Sequence, residues 1–136
     1  MLELKDDSGD MPNTITTAGI AAVASRINGD GSEAVFTTIA LATSATAIVI
    51  GDTALTSEIT TNGLGRGAST VSRTGTNNEK ASFTKSWTAT GSETIGSMGV
   101  LNNVTSGGTM LSANGGYSQA VVLDDVVNAT YTVPLA

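Results

Sequence analysis

The chain reads as an all-β protein, a β-sandwich or jelly-roll-like domain of about eight short antiparallel strands with one short N-terminal helix. Three observations point there. The composition holds 22 threonines and 16 glycines, so β-branched side chains suited to a pleated surface alternate with turn residues. Aromatics are only 4% of the residues while 40% are hydrophobic, so the core is filled by Val, Ile, Leu and Ala. Apolar residues recur at a period of two along most of the chain. At 136 residues it is long enough for one domain with one core.

Residues 1–14 read as an N-terminal arm and 15–136 as the single β domain. The stretch MLELKDDSGDMPN is polar and mostly acidic, and lacks the basic-then-apolar order of a signal peptide. It is either a frayed end or an arm that orders on a neighbouring subunit, with Leu2, Leu4, Met11 and Pro12 as its contact residues. In TITTAGIAAVASRING a helix is expected over 17–28. Thr16 or Thr17 caps it, Asn28-Gly29 stops it, and Ile20, Val23, Ala24 and Ile27 at spacings of three and four face the sheet.

From Ala34 the period changes to two. Val35, Thr37, Ile39 and Leu41 share one face, and Phe36, Thr38 and Ala40 the other. A small-residue loop with a turn at Gly51-Asp52 follows, then a connection whose clearest turn signal is Asn62-Gly63. Ala68–Thr74, a turn at Gly75–Asn78, and Glu79–Thr90 form a hairpin. Its second strand puts Ala81, Phe83, Lys85, Trp87 and Ala89 on the core face, with Lys85 reaching for a rim. Four further strands are expected in ETIGSMGVLNNV, GGTMLSA, SQAVVL and NATYTVPL, with turns at Asn102-Asn103, Gly107-Gly108 and Asn114-Gly115-Gly116.

The chemistry open to the chain is narrow. It has no His and no Cys, which excludes Ser-His-Asp triads, thiol catalysis and Cys- or His-ligated zinc. Paired carboxylates remain, among Glu33, Asp52, Glu58, Glu79, Glu93, Asp124 and Asp125, but nearly all of these fall in predicted turns, where carboxylates cap. NGDGSE at 28–33 has spaced oxygen ligands yet lacks the remaining positions of a calcium loop. GLGRG at 63–67 lacks the Lys-Ser/Thr of a phosphate loop. Asn103-Val-Thr and Asn128-Ala-Thr match the short glycosylation acceptor. A net charge of −6 with no basic stripe argues against nucleic acid, and the longest apolar run, Ala45–Ile50, is far too short for a membrane helix. Arg66 and Arg73 stand out among so few cations and are expected to pair with local carboxylates or a neighbour's acidic arm. No enzymatic activity and no cofactor is expected.

The segments ITTAGIAAVASRING, FTTIALATSAT, GDTALTSEIT, GLGRGASTVSRT, FTKSWTATGSETIGSMGVLN and GGTML, spread over roughly 15–133, resemble small bacteriophage virion proteins. These are capsid decoration (cement) proteins and, more loosely, tail-collar fibre proteins. The resemblance implies a homo-oligomer, a trimer, on the capsid surface of the virion, made in the host bacterial cytoplasm and bridging subunits of the major capsid protein. In that setting Leu2, Leu4, Met11, Pro12, Arg66 and Arg73 are the candidate partner contacts. No fibre shaft follows YTVPLA, which favours the decoration protein over a tail or collar fibre or a host-surface binding module.

Overall fold

A computed structural model describes residues 2–6 by their backbone and residues 13–31 and 33–135 in full. Within them lie β1 (Leu2–Asp6), β2 (Thr14–Ile15), α1 (Thr17–Asn28), β3 (Thr38–Ala42), β4 (Gly67–Ala68), β5 (Thr70–Thr74), β6 (Lys80–Thr88), β7 (Glu93–Leu101), β8 (Met110–Val121) and β9 (Val126–Pro134). The strands form a four-stranded sheet, β1-β9-β6-β5, and a five-stranded sheet, β2-β8-β7-β3-β4. The all-β, sandwich-like expectation holds.

The two sheets meet through their alternate residues. Phe83 and Trp87 of β6 and Val127, Tyr131 and Val133 of β9 pack against Ile39 and Leu41 of β3 and Ile95 and Met98 of β7. Tyr131 is fully buried, and its hydroxyl shares a 2.8 Å hydrogen bond with Ser112 of β8 on the facing sheet. The hairpin expected from 68 to 90 is β5 and β6, in register from Thr70 opposite Thr84 to Thr74 opposite Lys80. Gly67 and Ala68, however, pair with β3 in the other sheet, so the chain changes sheets at Ser69. Both the Ser69 amide and its hydroxyl donate to Thr37 O at that corner.

β3 is buried on both faces. Its alternation holds, but the face carrying Ala40 and Ala42 has a core of its own with Leu55, Leu101, Met110 and Ala113. The cover comes from the long connection after β3, which runs across β7 and β8. A methyl group on Gly96 would sit 2.4 Å from Thr43 O, and one on Gly115 would sit 2.6 Å from Thr46 O. Glycine at those positions lets backbone lie directly on sheet.

The helix has the expected ends. Thr16 is extended and its Oγ1 accepts the Gly19 amide, while Gly29 adopts φ 69° and donates to Ser25 O. Its packing face is only partly the expected one: Val23 packs against the core as expected, but the stripe as a whole is turned. Gly19 and Ala22 are the buried residues, and Ile20 and Ile27 are 52% and 79% exposed. The cause is the approach distance: a Cβ on Gly19 would lie 2.2 Å from the Leu111 carbonyl oxygen of β8. Gly19→Ala is therefore expected to destabilise by about 2 kcal/mol in a thermal melt, although Ala is the better helix former by about 1 kcal/mol.

Two further expectations are corrected. Asn114-Gly115-Gly116 is no turn: the two strands read around it are one twelve-residue strand, β8. The pairing of β8 with β7 slips between Ile95/Gln119 and Ser97/Gly115, and Gly116 takes φ 94° at this bulge. Within residues 1–14, Leu2–Asp6 form β1, parallel to β9 with Leu2 opposite Val127, and Thr14 already belongs to β2. The open edge of β9 pairs with main chain whatever the side chains are, so an apolar-poor segment can serve.

Candidate interaction surface

Polar side chains in this fold serve mainly as pins for its loops. Arg66 donates from Nε to Glu58 Oε1 at 2.6 Å and from Nη2 to Glu58 Oε2, a two-pronged ion pair. Its Nη1 donates to the carbonyls of Asn103 and Gly107, each at 2.9 Å. The side chains of Arg66 and Glu58 are 9% and 19% exposed. Of the two alternatives for Arg66, the local carboxylate holds, and it ties the connection before β4 to the loop between β7 and β8. Arg66 is thus withdrawn from the candidate partner contacts. Arg73 stands exposed on β5, opposite Ala81. Leu2 and Leu4 lie in β1, opposite Val127 and Ala129, while Met11 and Pro12 fall outside the described residues.

Most of the remaining carboxylates of the expected set accept hydrogen bonds from loop and turn groups. Glu33 accepts from Asn102 Nδ2 and Thr109 Oγ1, so its side chain faces the β7–β8 loop rather than the NGDGSE backbone. Asp52 accepts the Val49 amide, Asp125 the Val122 amide, and Glu93 an Asn62 Nδ2 proton. Glu79 closes the β5–β6 turn. Hydrogen bonds from its own amide and that of Asn77 hold its carboxyl below the usual glutamate range. Asn103 Oδ1 accepts the amides of Thr105 and Ser106, which makes the first glycosylation motif a tight Asx turn. Among the described residues, no three acidic side chains cluster as metal ligands, and no helix is long and apolar enough to cross a membrane.

What the structure brings together instead is apolar. At one end of the sandwich, Val23 and Ile27 of α1, Val35 and Phe36 ahead of β3, and Leu135 after β9 line an open groove floored by Phe83. It has a volume of about 350 Å³, and Arg26 is the charged residue on its wall. Ile27, Val35 and Leu135 are each more than half exposed. Single exposed apolar residues are ordinary, but several gathered around one concavity mark a contact surface. The groove was missed because Ile27 fits an inward helical face by spacing alone. The helix is instead rotated by the Gly19 contact, which turns that stripe toward the groove and solvent.

A second exposed apolar pair, Val122 and Leu123, caps the turn between β8 and β9. This turn is held firmly: Asp124 N–H donates to Ala89 O, and Ala89 N–H donates to Asp125 O, both at 2.8 Å. The aromatic residues take no part in an open polar site. Trp87, Tyr117 and Tyr131, which are all of the tryptophan and tyrosine in the chain, are buried. No protein-family model, curated protein or solved structure matches this chain.

Proposed function

We propose that this chain is a non-enzymatic bacteriophage virion protein, a capsid cement subunit that binds the outer shell as a small homo-oligomer, a trimer, and bridges major capsid subunits. The observation that carries the reading is the combination of a two-sheet block whose polar side chains pin its own loops with an apolar groove at one end, where Ile27, Val35 and Leu135 are exposed. Such a block suits a clamp. It resists deformation, and many copies acting together need only modest affinity each. The net charge of −6 keeps it from associating with packaged DNA. The burial of Trp87 and Tyr117 favours this reading over a host-glycan binding module, which needs aromatic faces open to a sugar.

The test is co-sedimentation of the full-length chain with assembled, DNA-free shells of the phage. The whole chain is used because starting at Ile15 would delete β1. Saturating binding, together with a raised temperature of shell disruption, is the expected result. Association with tails or with host cells, and none with shells, would replace it by the tail or collar fibre reading.

A further inference from the structure

The groove and the Val122-Leu123 turn lie at opposite ends of the same strands. β9 begins just after the turn and ends at Pro134, between the groove-wall residues Val133 and Leu135, and its nine residues separate the two by roughly 30 Å. β8 runs the same span in reverse, from Leu111 on the groove wall to Val122 just past its end. One end of the molecule therefore carries an apolar knob and the other an apolar recess.

Their charges are also opposite. Leu123 is followed by Asp124 and Asp125, and Asp124 is held at φ 68° with its side chain exposed. The groove wall carries Arg26, whose Nη1 donates to the Glu33 carbonyl at 2.6 Å. That bond fixes the guanidinium while using one of its five N–H donors.

We propose that the Val122-Leu123 knob of one copy seats in the groove of a second copy, head to tail, with Asp124 facing Arg26. Leu123 supplies the apolar area. The Ala89 bonds hold the turn in place before contact, so little ordering is needed on binding. Two different surfaces meet in this contact, so it is heterologous. It closes into a ring when the rotation between copies allows, and otherwise extends as a filament. The contact concerns copies of this chain alone and stands or falls without any shell.

The test uses the full-length protein and two single variants, Leu123→Asp and Ile27→Asp, followed by sedimentation velocity over a range of concentrations. Both positions are exposed, at 60% and 79%, so unchanged thermal melts are expected from each variant. The unsubstituted chain should form species larger than two copies, and each variant alone should associate at least tenfold more weakly. The decisive sample is the equimolar mixture. The Ile27→Asp chain keeps its knob and the Leu123→Asp chain keeps its groove, so the mixture should yield a species of two chains. An unsubstituted chain that is monomeric at all concentrations, or that stops at two copies, overturns the head-to-tail contact. So do oligomers that survive either substitution, and a mixture that remains monomeric.

Discussion

Trp87→Ala is expected to lower unfolding stability by about 4 kcal/mol, read as a shift of the urea midpoint by circular dichroism. The side chain is 5% exposed and lies between the sheets, with Val127 beside it on β9. Its removal loses packing on both sides. It also releases the Gly65 carbonyl, which accepts the indole Nε1–H at 2.8 Å and so fixes the connection leading into β4. Lys85 loses its place too. Its ammonium stands 5.1 Å from the ring centroid, and its chain lies so close to Gly67 that a methyl there would meet Cε at 2.6 Å. Trp87→Phe separates these effects. It retains most of the apolar volume and drops the indole donor, so a loss of about 1–2 kcal/mol is expected.

The sequence made some of this legible and hid the rest for identifiable reasons. Helix α1 was readable to the residue because its ends depend on local backbone chemistry: a Thr16 cap and a left-handed Gly29. The inward face of β6 followed from alternation, and Trp87 and Phe83 are buried as expected. The helix's orientation was not readable, since spacing favoured Ile20 and Ile27 while the close approach at Gly19 depends on Leu111, far along the chain. Asn114-Gly115-Gly116 misled because turns and bulges both use glycine at positive φ, and only the partner strand distinguishes them. β1 was hidden because its apolar alternation is only two residues long, Leu2 and Leu4, and its pairing is with the main chain of β9, far along the sequence. The groove combines all these difficulties: its walls come from α1, the segment before β3 and the end of β9, and no single window of sequence contains it.

Arg66→Ala is expected to cost about 3 kcal/mol, because it breaks a largely buried ion pair and leaves Glu58 with a charge and no counterpart. The carbonyls of Asn103 and Gly107 lose their donor in the same step, so the connection before β4 and the β7–β8 loop come apart together. Arg66→Lys keeps the charge but presents one ammonium where a planar fork meets two carboxylate oxygens and two carbonyls. It is expected to recover only part of the loss. Trp87 emission is a suitable readout in denaturant, since the indole is bonded to Gly65, the residue preceding Arg66. The control is the double replacement Glu58→Ala with Arg66→Ala. Removing both partners leaves no orphaned charge, so the pair should cost clearly less than the sum of the two single changes. Additive losses would instead mean that Arg66 acts through the two carbonyls and that Glu58 contributes little to the clasp.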